Sequence, residues 1–382
     1  MFNIRYFGDF CQLPPEYDRL VAVLGESGLF GDPDWFAFLL RRHFSHGDTF
    51  RLYAVETADG RQPLLLMPLR LTAADAAAPG ARVVGSVSHP ENFAALALAF
   101  DPDVADREEV LSALLAHLRK GSADDAPCDV LRLWPTEQGS PLNRMVAGAL
   151  RNAGFWIQSY ANSFNRFETT DGLTYEDYLG QRSANHRYNI RRRQRALAKA
   201  GQVDIAVHTA PEALASSVAD YVAVARASWK IPPSMIAPCT LELLELAARK
   251  GCLRLGILRL DGVAMAAQFW IVSQGVAHCS RLAYREDRKD LAAGVVLTSA
   301  MIEHVLDRDH VRQLDFGYGD DDYKGSWMKS ERHYFGLMAF NPATLRGLRL
   351  GLVQLLGRPV KRAVKHTLGA ARSLRLGRNQ AT

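Results

Sequence analysis

The sequence lacks the features that identify membrane-spanning, exported and metal-binding proteins. Its five cysteines, in 382 residues, are scattered and have none of the paired spacings that hold zinc. No stretch approaches the roughly 20 apolar residues that cross a bilayer, and residues 1–13 contain no apolar run of the kind found in signal peptides. We therefore expect a cytoplasmic protein that binds no metal and is neither exported nor membrane-spanning.

Acidic residues are missing from two long stretches that are rich in arginine and lysine. No Asp or Glu occurs between Asp177 and Asp204, and none follows Glu331, although the net charge of the whole chain is only +5. Such an uneven distribution of charge indicates a polyanionic partner, which could be a phospholipid surface, a nucleic acid or a phosphate-bearing substrate. The composition does not choose among the three.

The motifs of several enzyme classes are absent as well. There is no serine-nucleophile elbow, no glycine-rich P-loop and no dinucleotide-binding fingerprint. The sequence therefore gives no residue support to a hydrolase, a kinase or a dehydrogenase.

The elements that are present indicate two halves. The chain exceeds the roughly 250 residues at which single cores stop growing. Each half contains strand candidates joined by Gly, Pro and Asp turn signals, and then further helices and strands. We predict an α/β (α+β) fold with mixed, mostly antiparallel sheets flanked by helices. The predicted units are a domain over 1–168, a second over 169–342 and a basic amphipathic helical tail over 343–382.

Local signals place several element ends. Asp32-Pro33 and Ser140-Pro141 are typical helix starts. Thr209 and Glu212 are predicted to form a capping box at the start of another helix. The other predicted elements that matter below are a helical segment over 175–201, a strand over 93–99 and a helix over 293–307.

Four segments of the second half occur in the order and spacing of a known family. They are a basic helix, a Ser-Trp-Lys segment, a strand-to-helix passage and a glycine-bearing acidic loop, over residues 182–197, 228–230, 282–294 and 314–324. Together they resemble the GNAT-superfamily acetyltransferases of the bacterial cellulose- and exopolysaccharide-associated type, which are related to the Fem-type aminoacyltransferases. The resemblance implies two tandem GNAT-like acyl-CoA N-acyltransferase domains, the first degenerate and the second catalytic.

The resemblance also implies a site for acetyl-CoA or another acyl-CoA at the strand-to-helix passage. Unpaired N–H groups and the dipole at a helix N-terminus favour the cofactor's diphosphate. Relatives commonly have Ser-Pro-Gly where this chain has Ala292-Ala293-Gly294, and an ordinary strand–turn–helix junction is the alternative. The predicted cofactor-binding residues are Leu282, Ala283, Tyr284, Arg288, Lys289, Ala292, Ala293 and Gly294.

Acyl transfer to an amine needs one group that accepts the proton of the amine and one that protonates the departing thiolate. The candidate catalytic residues are Asp320, Asp322, Tyr323 and His278. The candidate substrate-binding residues are Trp229, Lys230, Asp315, Lys324 and Arg191. The alternatives are that the acids form a solvated turn, that the aromatic residues and the histidine belong to the core, and that the arginines form a solvated helix face.

The function that the resemblance implies is transfer of an acyl group, most simply acetyl, from acyl-CoA to an amine on a sugar or a cell-envelope or exopolysaccharide precursor. Two alternatives stay open: a Fem-like aminoacyl-tRNA-dependent transferase, and a non-catalytic scaffold in envelope polymer assembly. The tail predicts attachment to the inner face of an anionic membrane, against a helix that packs on the sheet. Its apolar positions fall on one helical face: Leu345, Leu348, Leu352 and Leu355.

Overall fold

The computed structural model describes residues 2–76, 78–88, 96–228, 238–319 and 322–355. The strands of the first half are β1 (Phe2–Phe7), β2 (Thr49–Thr57), β3 (Pro63–Thr72), β4 (Val83–Ser86), β5 (Ala99–Phe100), β6 (Val130–Glu137) and β7 (Trp156–Thr169). Its helices are α1 (Asp18–Gly25), α2 (Pro33–His43), α3 (Arg107–Lys120) and α4 (Pro141–Asn152).

The second half continues with six helices and six strands within the described residues. The helices are α5 (Tyr175–Gly180), α6 (Ala184–Ala200), α7 (Leu214–Arg226), α8 (Pro238–Arg249), α9 (Ala293–Asp307) and α10 (Asp322–Trp327). The strands are β8 (Val203–His208), β9 (Leu253–Leu260), β10 (Val263–Ser273), β11 (Val276–Tyr284), β12 (Gln313–Tyr318) and β13 (Ser330–Phe340). A further helix follows over residues 345–355.

All thirteen strands form one sheet, in the order β1-β2-β3-β4-β6-β13-β7-β12-β11-β10-β9-β8, with β5 beside β3. The pairings β4–β6 and β11–β12 are parallel, and the other pairings among the described residues are antiparallel. The predicted fold class, a mixed and mostly antiparallel sheet flanked by helices, is confirmed.

The two halves exchange their last strands. β7 ends the first half but pairs with β12, and β13 ends the second half but pairs with β6. β7 and β13 also pair with each other along almost their whole length, from Phe167–Ser330 to Trp156–Phe340. The sheet therefore runs without a break from one half into the other.

Three main apolar cores hold the helices on this sheet. One is shared between the halves, because α1 and α2 pack there against α7, α8 and the face of β9–β11. A second lies under α3 and α4, and a third lies between β9–β12 and the helices α6 and α9. Arg41 and Arg42 reach Glu242 across the shared core, and Lys250 reaches Asp32 at 2.8 Å.

The helix starts were predicted best where a side chain caps the first turn. Asp32 and Ser140 accept hydrogen bonds from the backbone N–H groups of Asp34 and Asn143, as expected. The box predicted at Thr209 and Glu212 is wrong. Ala210 precedes a 3-10 turn there and provides no side-chain cap, because alanine has no hydrogen-bonding side chain, and α7 begins only at Leu214.

Two other predicted segments can be compared with the structure. The helical segment predicted over 175–201 is confirmed and consists of two helices, because Ser183 accepts from the N–H of His186 and starts α6 anew. The capping box of this segment, at Thr174 and Asp177, was not predicted. Of the strand predicted over 93–99, residues 93–95 lie outside the described residues, residues 96–98 are not in a strand, and Ala99 begins the short strand β5.

Candidate active site

β11 and β12 form a fork in the second half. Their parallel pairing covers only three positions and ends at His278 and Asp315. Beyond this point β11 continues to Tyr284 and β12 to Tyr318 without pairing with each other. Two adjacent parallel strands that separate leave a gap through the sheet, and residues from both strands line it.

Irregular backbone marks both arms of the fork. Trp270 of β10 pairs with Cys279 and Phe269 pairs with Arg281, so β11 carries one residue more than β10 at this point. β12 shifts its register against β7 just after Asp315, where Gly317 has a φ of 61°. Bulges of this kind bend a strand and change the direction of its side chains. They therefore separate β11 from β12 beyond the paired positions.

A buried cluster of polar side chains lies at the base of the fork. One carboxylate oxygen of Asp315 accepts from Asn165 Nδ2 and from the N–H of Gly317, both at 2.7 Å. The other accepts from Arg332, and Arg332 Nε donates to Asn165 Oδ1 at 2.9 Å. Burial alone would raise the pKa of Asp315, but His278, Arg332 and these hydrogen bonds hold it below its ordinary value. Asp315 is therefore a buried, paired carboxylate.

His278 lies beside this carboxylate. Its Nδ1 is 3.8 Å from Asp315 Oδ2, and its ring packs edge-on against Phe30 of the first half at 5.2 Å between centroids. Burial lowers the pKa of His278, Arg332 lowers it further and Asp315 opposes both. The imidazole is therefore neutral at pH 7 and can accept a proton.

The start of α9 is held against β10 by a buried glutamine. Gln268 is fully buried and donates to Gly294 O at 3.2 Å and to Thr298 Oγ1 at 2.6 Å. Trp270 Nε1 donates to the side-chain oxygen of Gln268 at 3.0 Å. Ala292, at a φ of 50°, precedes the helix and provides no side-chain cap. The first N–H groups of α9 therefore lie at a fixed place without a capping side chain.

The predicted cofactor residues of β11 and α9 divide between the two faces of the sheet. Gly294 lies against Tyr284 and Leu282, since a Cβ at Gly294 would be 3.3 Å from Tyr284 Cδ1 and 3.5 Å from Leu282 Cδ1. Ala293 is buried in the core under α9, whereas Ala283 is buried in the core shared by the halves. With Ala292 included, six of the predicted residues thus lie around one strand-to-helix junction.

The two predicted basic cofactor residues lie on the outside of the turn before α9. The side chain of Arg288 is 47% exposed, and that of Lys289 is 72% exposed and 3.3 Å from Glu286. Asp290 lies 4.0 Å from Arg288. Both cations are thus solvent-accessible at the junction and partly compensated by acids of the same turn.

The acidic loop after β12 is only partly described. Asp320, together with Trp229 and Lys230, lies outside the described residues, and Asp322 is the first residue of α10. The ring of Tyr323 lies 6.5 Å from that of Phe316. Lys324 is buried and donates to the carbonyl oxygen of Tyr318, so it closes the loop on β12.

Arg191 does not join the other predicted residues. It lines an open groove of about 650 Å³ together with Tyr175, Glu303 and Asp307. The last two residues belong to the C-terminal end of α9, whereas the fork lies at its N-terminal end, about 20 Å away for a helix of this length. Arg191 therefore lies outside the fork.

Some residues of the site could not be identified from the sequence. Asn165 and Arg332 come from β7 and β13, and only the strand exchange brings them to the fork. Gln268 carried a signal that sequence reasoning missed, because it is a polar residue inside the apolar strand β10.

The first half contains a second fork, and the described residues beside it include no uncapped helix start of this kind. β4 and β6 pair in parallel only as far as Gly85 and Arg132. The next helix in the described part of the chain, α3, begins about twenty residues later, and Asp106 caps it, with Glu108 and Glu109 in its first turn. Acids at this position repel a diphosphate. The two forks are therefore chemically different.

Comparison with known proteins agrees with this description. Residues 184–325 match the family described as an acetyltransferase (GNAT) domain. The whole chain is similar to the crystal structure of FemX, with a TM-score of 0.60 and 11% identity over 92% of this chain and 99% of that one. It is also similar to a conserved protein of unknown function from Bacteroides thetaiotaomicron, with a TM-score of 0.50 and 10% identity. This match covers 88% of this chain and 100% of that one. A search of curated proteins finds no match.

The fold is therefore similar to that of FemX over most of the chain, and residues 184–325, in the second half, match an acetyltransferase (GNAT) domain. At these identities the likeness to solved structures concerns the fold alone. None of the helices in the described ranges has the length and hydropathy of a bilayer-spanning helix. The same residues contain no group of three or more His, Cys, Asp or Glu side chains placed to hold a metal ion.

Proposed function

We propose that the protein is an N-acyltransferase that moves an acyl group, most simply acetyl, from acyl-CoA to an amine. The proposed acceptor is a sugar or another cell-envelope or exopolysaccharide precursor. The observation that carries the proposal is the arrangement at the fork, where a neutral histidine beside a buried carboxylate lies on the same strand as the junction with α9. The match of residues 184–325 to an acetyltransferase domain supports it.

The residues around the start of α9 fit an acyl-CoA. The uncapped helix start can receive the diphosphate, and Arg288 and Lys289 are exposed beside it. The small side chain of Ala292 lets a ligand approach the backbone closely, and Gly294 lets α9 pack closely on β11. When bound, acyl-CoA would supply the thioester whose acyl group is transferred.

The reaction requires one proton to leave the acceptor amine. The amine nitrogen forms a bond to the acyl carbon while the carbon–sulfur bond breaks, and the proton moves to a base. His278 is the proposed base, because its imidazole is neutral at pH 7 and Asp315 stabilises the imidazolium that forms. Asp320 and Asp322 are the alternative bases, and Tyr323 is the proposed proton donor to the departing thiolate.

The remaining contributions are positional. A backbone N–H of β11 between Leu282 and Tyr284 is the proposed partner of the negative charge that develops on the acyl oxygen. Lys324 orders the loop that carries Tyr323, because the Lys324 ammonium donates a hydrogen bond to the carbonyl oxygen of Tyr318. Most of the rate enhancement is expected from holding the amine and the thioester together.

Thermal unfolding with and without acyl-CoA tests this proposal first. We expect acetyl-CoA at millimolar concentration to raise the unfolding midpoint, and the rise to grow with concentration, because a ligand that binds only the native state stabilises it. Longer acyl-CoAs tested in parallel rank the acyl chain. The absence of any shift with every CoA ester would contradict the proposal.

One observation favours a second candidate, a Fem-like aminoacyl-tRNA-dependent transferase. The exposed face of α6 carries Arg191, Arg192 and Arg195, and the helix contains no acid. Tight RNA binding that weakens steeply with salt would support this candidate. Binding of neither CoA nor RNA would instead favour a non-catalytic scaffold in envelope polymer assembly.

A further inference from the structure

The helix over residues 345–355 packs on the sheet through its two glycines. A Cβ at Gly347 would lie 2.2 Å from the carbonyl oxygen of Asn341, and a Cβ at Gly351 would lie 3.0 Å from Cε3 of Trp156. Both glycines are buried. The helix thus approaches the sheet closely at these two glycines, and Leu350 packs beside them against the core.

Three apolar side chains of this helix point away from the protein, whereas Leu348, Leu350 and Leu355 are partly buried. Leu345 is 87% exposed, Val353 is 61% exposed and Leu352 is 42% exposed. At about 100° per residue, these positions span an arc of roughly 100° that is centred on Arg349 and lies opposite the glycines. They are three of the seven exposed large apolar side chains among the described residues, so exposed apolar surface is concentrated here.

Positive charge lies on the same outward face. Arg346 and Arg349 are both exposed among the apolar residues. From Arg332 to the end, the sequence contains ten lysines and arginines and no acid. An interfacial helix has this combination, because its apolar side chains enter the boundary between headgroups and acyl chains while its cations remain at the phosphates. RNA would bind only the cations and would leave the apolar side chains in water.

We propose that the outward face of this helix, formed by Leu345, Arg346, Arg349, Leu352 and Val353, binds the surface of an anionic phospholipid bilayer. The inference rests on the surface of the helix and not on the fork. It deepens the proposed function by placing the protein where lipid-linked envelope precursors occur.

Sedimentation of the full-length protein with vesicles tests this inference. We expect binding to vesicles that contain phosphatidylglycerol, weaker binding to pure phosphatidylcholine and a decrease with salt. The triple substitution Leu345→Ser/Leu352→Ser/Val353→Ser should lower the partition constant about tenfold or more, with an unchanged unfolding midpoint. Val263→Ser is the matched control, because Val263 is 53% exposed elsewhere and its loss should not change binding.

A second pair of variants tests the charges. Arg346→Gln/Arg349→Gln should lower the partition constant on anionic vesicles about tenfold or more and should reduce its salt dependence. The control is Arg61→Gln, at a side chain that is 86% exposed, and it should leave the partition constant and its salt dependence unchanged.

Several outcomes would overturn the inference. They are no binding of the unmodified protein to anionic vesicles, equal losses in the controls, full binding by the triple variant, and RNA binding without vesicle binding. Acyl-CoA stabilisation, measured on the same variants, reports separately on the proposed enzymatic function. Loss of vesicle binding with acyl-CoA stabilisation intact is the expected result for the triple variant.

Discussion

A single carboxylate organises the polar cluster at the fork. Asp315, in β12, contacts residues from three other strands: Asn165 comes from β7, His278 from β11 and Arg332 from β13. His278 and Asp315 could be selected from the sequence because both belong to one contiguous half. Asn165 and Arg332 could not, because the strand order that brings them there is not encoded in any local pattern.

His278→Gln tests the proposed base. We expect kcat/KM to fall about 10²- to 10⁴-fold, because glutamine keeps the volume but accepts no proton at neutral pH. In the unmodified enzyme, activity should fall as pH drops through the pKa of His278, which lies below its ordinary value, and the variant should lack this fall. His46→Gln, at an exposed histidine, should retain both the rate and the pH profile. If Asp322→Asn abolished the fall of activity at low pH and His278→Gln did not, Asp322 and not His278 would be the base.

Asp125 is a second buried carboxylate, in the first half, and its role is structural. It accepts from Tyr53 Oη and Arg82 at 2.7 Å and from Arg51 at 2.5 Å. Burial would raise its pKa, but His117, Tyr53 and Arg51 lower it to about 2. The charged form therefore stabilises the native state.

Asp125→Asn should lower the free energy of unfolding by about 3 to 5 kcal/mol, because it leaves the partly buried Arg51 and Arg82 without this carboxylate. Since the folded pKa is depressed, the contribution of ionisation, roughly 2 kcal/mol, is fully present above pH 4 and is lost as pH falls from about 4 to 2. Urea unfolding of the unmodified protein and the variant as a function of pH measures both the cost of the substitution and the loss of stability at low pH. Asp103→Asn, at a side chain that is 72% exposed, should cost much less. An equal cost for the two substitutions would refute the assignment.

At the scale of elements, the sequence predicted best what neighbouring residues decide. The cap at Ser140 and the helix over Ala293–Asp307 were confirmed, because capping and helical periodicity are local. The α7 start was wrong because Pro211 begins a 3-10 turn instead. The bulge in β11 was beyond prediction, since it is defined only by the pairing with β10.

Gly294→Val tests the contact between α9 and β11. The added side chain would meet Tyr284 Cδ1, so the helix start must move away from the strand. We expect the dissociation constant for acetyl-CoA to rise about tenfold or more, as measured by calorimetry. Gly180→Val is the matched control, because a Cβ at this helical glycine meets no atom within 4 Å. Unchanged affinity in Gly294→Val would remove the junction from the proposed cofactor site.

At the scale of the whole molecule, the strand exchange is the dominant feature. The sequence indicated two halves but contained no sign that each half completes the other, because strand order depends on contacts between residues far apart in sequence. The core under α3 and α4 even includes Leu337 and Ala339 of β13.

A fragment of residues 1–168 should therefore not fold by itself. β7 would lose both its neighbours and β6 would lose one, leaving long edges and an incomplete core. We expect no cooperative thermal transition and no near-ultraviolet circular dichroism of native strength. Mixing with a fragment of residues 169–382 should restore both signals. A cooperative transition of the first fragment alone would show that the exchange is dispensable.

The exchange also sets an order of events during synthesis. All residues of the first half have left the ribosome once Thr169 has emerged. The strand that lies between β6 and β7 is β13, however, and β13 ends at Phe340. At roughly 5–20 residues per second, this strand emerges about 10 to 35 s later. During this interval the nascent chain exposes the edges of β6 and β7, and chaperones that bind unpaired strands would have their longest access to it then.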